Sequence, residues 1–496
     1  MTIQSNNERF QQELERLNPA QREAVETIEG PVLVIAGPGT GKTHILAARI
    51  GNILLKTDTQ PHNILCLTFT DAGVQAMRQR LLSLIGPDAH KVHIFTFHSF
   101  CNTIIQDNLD LFGRRETEPL SDLERVETLR QLLDELPWTH PLRRGRADGY
   151  RYEQHLQELF RRMKSENWTP AFVEGKIDTY LAELPQREEF IYKQNRGSVR
   201  KGDLKIAAIE EEKLKMERLR SAVKLFPRYE EILRERRRYD YEDMILWVLR
   251  AFREHPFLLA RYQEQYLYFL LDEYQDTNGA QNEILHRLTE FWDAPNIFIV
   301  GDDDQSIYEF QGARLKNITD FYHTHHDDLK VVVLTDNYRS TQHILDSAGT
   351  LISANTLRIV KHLRDLGLEK VLTARHPDYA QLPILPSVNA YPNRLQEEVA
   401  IAEQLENLMN EGFPLDEVAV IFAKHRQAKR LMSLLEKKGI PYQTRQSINA
   451  LDLPLVQNLR LMLGYFVDEF HRPFSGEQAL FRMLHFEFFG IKPQDI

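Results

Sequence analysis

Cysteine is nearly absent: the 496 residues hold two, Cys66 in NILCLTFT and Cys101 in FHSFCNTII. Two thiols make neither a disulfide framework nor a four-thiolate cluster, and both read as small core residues. Long apolar runs are missing too. No stretch reaches the roughly 18 to 20 residues that span a bilayer, and MTIQSNNERF lacks a charged-then-apolar layout, so no membrane partner is expected and the expected location is cytoplasmic. Positive charge is not in excess: 62 Lys and Arg against 72 Asp and Glu leave −10, which argues against a surface that clings to polyanions throughout. Fixed-period repeats and low-complexity segments are absent as well, which excludes solenoids and disordered arrays. What remains, at 42% hydrophobic and 27% charged, is the composition of a folded chain long enough for several cores.

Six short, nearly continuous apolar runs stand out: PVLVIAG (31–37), NILCLTFT (63–70), KVHIFTF (91–97), YLYFLLDE (266–273), NIFIVGD (296–302) and LKVVVLT (329–335). Helical periodicity fills the intervals. Strands covered on both faces by crossover helices read this way, which predicts a parallel α/β sheet. Residues 106 to about 240 carry helical periodicity and almost no strand-like run, so a helical domain is expected inside the sheet. This stretch is locally basic. Over 111–240, 28 Lys and Arg face 25 Asp and Glu, with clusters at Arg143, Arg144 and Arg146, at Arg161, Arg162 and Lys164, at Arg196, Arg200 and Lys201, and at Arg236 to Arg238. Such clusters either follow a phosphate backbone or form the solvated outer face of helices. After a helical stretch from Ser340 come LPSVNAY (385–391), EVAVIFA (417–423) and IPYQT (440–444), expected strands of a second α/β domain that stops short of a finished sheet.

The strongest local signal is AGPGTGKT, Ala36, Gly37, Pro38, Gly39, Thr40, Gly41, Lys42 and Thr43, set between an apolar run and a helical one. A glycine loop there lets backbone N–H groups close on phosphate oxygens, with Lys42 reaching the β and γ phosphates and the Thr43 hydroxyl binding Mg²⁺. The acidic partner is YLYFLLDEYQD: Asp272 to hold Mg²⁺ and Glu273 to polarise the attacking water. In NIFIVGDDDQSIYEFQGA, Gln305 stands where an uncharged side chain senses a γ-phosphate, while Tyr308 and Phe310 offer faces for base stacking or fill a core. LTDNYRST places Arg339 just past a strand, positioned to stabilise γ-phosphate charge. His323, His325 and His326 with Asp327 and Asp328 read as a solvated loop rather than a metal site, and Asp365, Glu369 and Lys370 are not read as a nuclease site.

Taken in order, Gln21 in LNPAQREAV, AGPGTGKT, LTFTDAGVQAM, FTFHSF, YDYEDM, DEYQDTN, GDDDQSIYEFQGA and DNYRST resemble the motifs of superfamily 1 helicases of the UvrD/Rep branch. The resemblance is close over about 20–110 and 239–345 and looser over 346–470. It implies a RecA-like P-loop NTPase motor domain in two halves (1–105 and 241–338), an inserted helical accessory domain (106–240) and a partial second RecA-like domain (339–496). It implies ATP and Mg²⁺ as cofactors and 3′-to-5′ translocation on single-stranded DNA, since SIY follows GDDDQ. By similarity Gln21 reads the adenine edge and Tyr338 stacks on the adenine. Lys42, Gln305 and Arg339 surround the γ-phosphate, and Phe69, Thr70, Thr96, His98, Tyr308 and Phe310 lie along the DNA.

The sequence also departs from that pattern. His44 replaces the usual Arg near the adenine, which implies weaker base selectivity, while Asp71 and Ala72 replace Asn-Lys and Phe310 and Gln311 replace Trp-Arg, which lowers the expected affinity for DNA. The later motifs of the family are not seen, so the chain is expected to be the N-terminal part of a longer polypeptide. Expected partners are single-stranded DNA, DNA junctions and repair or recombination proteins. Two other readings stand beside the helicase: the motor part of a helicase-nuclease recombination subunit, and a nucleotide-dependent DNA-binding module that does not translocate.

Overall fold

A computed structural model describes residues 10–113, 117–143, 149–195, 200–306, 315–355, 358, 361, 368–444 and 450–495. The chain divides into two compact units, residues 1–386 and 387–496.

The first unit is built on a six-stranded sheet whose strands are the six apolar runs. They are β1 (Val32–Ala36), β2 (Ile64–Thr68), β3 (His93–Thr96), β6 (Tyr268–Leu271), β7 (Ile297–Gly301) and β8 (Lys330–Leu334), in the order β3-β2-β6-β7-β1-β8. Every neighbouring pair is parallel, with Val34 opposite Val300 and Val332, and Cys66 opposite Ile94 and Leu270. Side chains alternate between two cores. Leu33 and Ile35 enter one with Phe100, Val248 and Ile284; Val32, Val34 and Ala36 enter the other with Ile45, Ile50 and Leu81. Burial on both faces is why the runs are continuous rather than alternating. Both cysteines are fully buried core residues, and burial pushes their thiols up, away from reactivity. The parallel sheet with flanking helices is the RecA-like motor fold.

Between β3 and β6 the chain leaves the sheet through helices Asp122–Asp134, Glu153–Ser165, Pro170–Glu183, Ile206–Val223 and Phe226–Glu235. Two short strands, β4 (Glu118–Pro119) and β5 (Arg238–Tyr239), pair in parallel where it departs and returns. These helices close on their own core of Leu129, Leu132, Leu156, Phe160, Val223 and Ile232. Lys164 is not on the surface, contrary to its place in the basic clusters. Its ammonium is buried between Asp240 Oδ2 at 2.9 Å and Asp243 Oδ2 at 2.8 Å, and Tyr229 donates to Asp240 at 3.0 Å. Other members of those clusters are also engaged internally. Arg238 pairs with Glu124 at 2.7 Å, Arg236 donates to Gln131 at 2.6 Å, and Arg143 donates to the Asp134 carbonyl at 2.8 Å and covers Trp138. Arg144, Arg146 and Arg196 lie outside the described residues.

Past β8, β9 (Asp336–Asn337) pairs in parallel with β10 (Thr373–Ala374). The second unit carries helices Arg394–Asn410, Ala428–Lys438, Pro454–His471 and Glu477–Leu484, the first two of which pack on a small core of Ala402, Leu405, Leu431, Leu435 and Ile440. The strands expected at 385–391, 417–423 and 440–444 are not formed: none of these residues enters a ladder. An apolar run becomes a strand only when a neighbour takes its backbone groups, and here Val388 and Ile421 are 98% and 93% exposed. No helix among the described residues is long and apolar enough to cross a membrane.

Candidate functional site

The glycine loop joins β1 to the helix Lys42–Lys56, as a phosphate loop must. Two positive φ angles shape it, +69° at Gly39 and +89° at Gly41, the latter capping the helix with its backbone. A Cβ on Gly39 would stand 2.7 Å from Arg339 Cβ and 2.8 Å from Asn337 Nδ2, so the close approach itself requires glycine. Thr40 folds back onto the Gly37 carbonyl at 2.8 Å. The helix N-terminus is left with open N–H groups, Lys42 as its first residue and Thr43 as its second.

Asp272 and Glu273 follow β6, beside the loop. Lys42 Nζ donates to Glu273 Oε2 at 2.8 Å. Glu273 has φ +51°, a conformation a carboxylate side chain adopts only where the surroundings enforce it. Burial, with the Glu273 charge adding to it, pushes the Asp272 carboxyl up to about 7. A buried carboxylate suits a divalent cation, which takes oxygen ligands, and the Thr43 hydroxyl at the start of the loop's helix is a neutral oxygen donor that such an ion also accepts.

A hydrogen-bond chain continues from Glu273 into the turn after β7. Gln275 Nε2 donates to Glu273 Oε2 at 2.8 Å, and the Asp302 N–H donates to Gln275 Oε1 at 2.9 Å. Gln305 Nε2 in turn donates to Asp302 Oδ2. Lys42, Glu273 and Gln305 are therefore joined through two residues, Gln275 and Asp302, both nearly inaccessible. Tyr338 and Arg339 reach the same loop from β9: the Tyr338 N–H donates to the Gly39 carbonyl at 2.9 Å, and both side chains are exposed.

Gln21 is buried at the start of the helix Pro19–Glu26. Its Oε1 accepts from the Asn18 N–H at 3.3 Å and its Nε2 donates to the Thr40 carbonyl at 2.9 Å, so it ties this helix to the phosphate loop. Asn18 reaches on to the Tyr338 hydroxyl at 3.1 Å.

A second group lies at the carboxyl ends of β2 and β3, the other end of the sheet order. Phe69 and Thr70 follow β2, Thr96 ends β3, and His98 opens the next helix. Thr70 accepts from the Gly73 N–H at 3.0 Å and Thr96 from the Ser99 N–H at 3.2 Å, so both hydroxyls cap helices. His98 Nε2 is buried without a hydrogen-bond partner, and burial lowers the pKa of its ring. Tyr308 and Phe310 lie outside the described residues.

Two family models cover this architecture. The UvrD/REP helicase N-terminal domain matches residues 17–326, and the UvrD-like helicase C-terminal domain matches residues 332–492. The chain belongs to the UvrD/REP helicase family. Among curated relatives, the ATP-dependent DNA helicase PcrA of Bacillus subtilis is 28% identical over 431 residues, which is 86% of this chain and 50% of the relative. PcrA of Staphylococcus epidermidis is 28% identical over 433 residues, covering 86% and 51%. PcrA of Staphylococcus aureus is 27% identical over 433 residues, covering 86% and 50%. The chain thus spans about half the length of the curated relatives it matches.

Three residues of this UvrD/REP site escaped the sequence reading. Gln275 sits inside DEYQDTN, and only the approach of β7 to β6 reveals its bridging position. Asn337 in DNYRST is fully buried; its Nδ2 donates to the Pro38 carbonyl while its Oδ1 accepts the N–H groups of Arg339 at 2.9 Å and Ser340 at 2.7 Å. Arg49 is 1% exposed and lies over the Phe298 ring, donating to carbonyls at the end of Pro19–Glu26: Ala24 at 2.8 Å, Ile28 at 3.1 Å, and Thr27. A cation there complements the helix dipole and fixes the helix that carries Gln21. A charged residue on an otherwise apolar helix face was the available signal for Arg49. The histidines around 323–326 form no ligand set: among the described residues, only Asp302, Asp303 and Asp304 bring three potential ligand atoms together.

Proposed function

We propose that this chain acts as an ATP-dependent DNA helicase that translocates 3′-to-5′ on single-stranded DNA, in DNA repair, replication or recombination. The observation that carries the reading is the hydrogen-bonded series Lys42, Glu273, Gln275, Asp302, Gln305, laid across the carboxyl ends of β1, β6 and β7 beside an open helix N-terminus. Ligands of open α/β sheets bind at that edge. The sequence relatives are named ATP-dependent DNA helicases, and the motif GDDDQSIY supports the polarity.

Lys42 is held by Glu273 in this arrangement, so a nucleotide binds by exchange. Its phosphates take the Lys42 ammonium and the N–H groups of the loop, which releases Glu273 to accept a proton from water. Gln275 keeps Glu273 oriented once Lys42 has left. Gln305 donates toward the γ-phosphate, and Arg339, exposed one residue past Tyr338, adds positive charge as negative charge develops there. Tyr338 offers a ring to the adenine beside the Gln21 helix. Magnesium, held through Thr43 and Asp272, would neutralise phosphate charge. At the other end of the sheet order, Phe69, Thr70, Thr96 and His98 make an uncharged strip for a single strand, where stacking contributes about 1 to 3 kcal/mol per base.

The test is steady-state ATP hydrolysis by the 496-residue chain, with and without single-stranded DNA, beside Lys42→Ala and Glu273→Gln. DNA-stimulated turnover that either substitution abolishes is expected. Displacement of streptavidin from a 3′-biotin and from a 5′-biotin then reads direction; faster release from the 5′ end is expected. Turnover indifferent to DNA, or faster release from the 3′ end, would reject the reading.

A further inference from the structure

Lys370 lies outside every motif of the nucleotide site, yet its ammonium is packed into it. The side chain is 1% exposed, and Nζ stands 2.5 Å from Asp302 Oδ1, 2.9 Å from Asp303 Oδ1 and 2.9 Å from Asp304 Oδ2. Arg358 closes the far side, with Nε and Nη2 each 2.7 Å from an Asp304 oxygen. Three carboxylates on successive residues repel one another strongly at such burial unless positive charge lies between them. Lys370 and Arg358 supply it. The Asp302–Asp304 cluster is therefore occupied by a lysine rather than open to a metal ion.

Asp302 links this cluster to the chemistry. One oxygen accepts from Lys370 and the other from Gln305, while its N–H donates to Gln275. The residues after Lys370 touch the site twice more. Leu372 packs on the phosphate loop so closely that a Cβ on Gly37 would lie 2.5 Å from Leu372 Cδ2. Thr373 and Ala374 pair with Asp336 and Asn337, immediately before Tyr338 and Arg339. Segment 370–374 thus meets the turn bearing Gln305, the phosphate loop and the strand leading to Arg339.

We propose that Lys370 is a positioning residue of the nucleotide site: its ammonium fixes the Asp302 carboxylate, and Asp302 in turn aims the Gln305 carboxamide at the γ-phosphate. This rests on the reading of the site as an ATP site. Without Lys370 the Asp302 carboxylate is free to turn toward other donors, and Gln305 loses its rotamer. The base, the ribose and the first two phosphates are untouched. Lys370 therefore affects discrimination between a nucleoside triphosphate and a diphosphate rather than nucleotide affinity as such.

The experiment is calorimetric titration of the 496-residue chain with Mg·ATPγS and with Mg·ADP, for the wild type, Lys370→Met, Gln305→Ala and the double variant. Loss of one charge-assisted hydrogen bond predicts that Lys370→Met weakens ATPγS about tenfold while ADP affinity stays within about twofold. Gln305→Ala should do the same, and the double variant should be no worse than either single one, because both act through one side chain. Equal weakening of both nucleotides, no weakening, or additive losses in the double variant would overturn the proposal. If Lys370→Met gives no cooperative melt, Lys370→Met with Asp303→Asn removes one charge of each sign and carries the same comparison. A wild type that binds neither nucleotide rejects the ATP reading itself; a wild type that binds both, with discrimination intact in the variants, rejects only the role of Lys370.

Discussion

Gln275 shows how much of this site depends on an uncharged side chain. Its carboxamide spends both ends at once, donating to Glu273 and accepting from the Asp302 N–H, at 1% exposure. Gln275→Leu leaves the Asp302 N–H without a partner and Glu273 Oε2 with Lys42 alone, a loss of about 1 to 3 kcal/mol if that N–H stays buried. Because Glu273 still sits beside Lys42, nucleotide binding should persist while kcat for ATP hydrolysis falls about tenfold or more. A variant with raised KM and unchanged kcat would show instead that Gln275 serves binding. His98 gives a prediction of a different kind. Burial depresses its pKa, so the unfolded chain takes up a proton near 6.5 that the folded chain refuses. The sign follows: stability is full above about 6.5 and declines as pH falls toward the lower folded value. His98→Gln removes that proton uptake. Urea midpoints of wild type and variant, compared at pH 8 and at pH 5.5, should show the wild type losing ground relative to the variant on acidification; a constant difference would refute the buried neutral ring.

At the scale of elements, legibility followed burial on both faces. The six sheet strands were readable because each lies between two cores and must be apolar along its length, as Val32 to Ala36 shows. EVAVIFA carries the same signal, and no ladder forms there, because composition reports the capacity to pair and not the presence of a neighbour. The catalytic candidates were readable where backbone geometry and chemistry share one short segment, as in Ala36 to Thr43. Residues that act across segments were not. Gln275, Asn337, Arg49 and Lys370 take their meaning from chain separated by tens to hundreds of residues. Lys164 is the clearest case, since by sequence it belongs to a basic cluster, and the fold places it against Asp240 and Asp243 where the inserted helices rejoin the sheet domain. Removing one partner of a buried ionic group leaves the others uncompensated, so Lys164→Met should destabilise by about 3 to 5 kcal/mol. Adding Asp240→Asn and Asp243→Asn should restore much of that loss. Urea unfolding of the three chains tests this, and a single variant within about 0.5 kcal/mol of the wild type would show the knot to be incidental.

For the whole molecule, charge bears on how the proposed DNA strand would be gripped. The chain carries −10, and the inserted helices, whose basic clusters suggested a phosphate-binding face, engage Lys164, Arg236 and Arg238 internally with Asp240, Asp243, Gln131, Glu124 and Glu118. The described strip at the ends of β2 and β3 is Phe69, Thr70, Thr96 and His98, with His98 kept neutral by burial. Under the proposed function a single strand held there would be held by stacking and hydrogen bonds, with few phosphates neutralised. Each neutralised phosphate contributes about −0.7 to the slope of log K against log salt for single strands. Two or three such contacts would give a slope no steeper than about −2, and affinity for an oligonucleotide should weaken only modestly between about 50 and 200 mM salt. Fluorescence anisotropy across that range measures the slope directly. A value near −4 or steeper would mean that about six phosphates are neutralised, and the basic residues of the inserted helices would then have to leave their acidic partners when DNA binds.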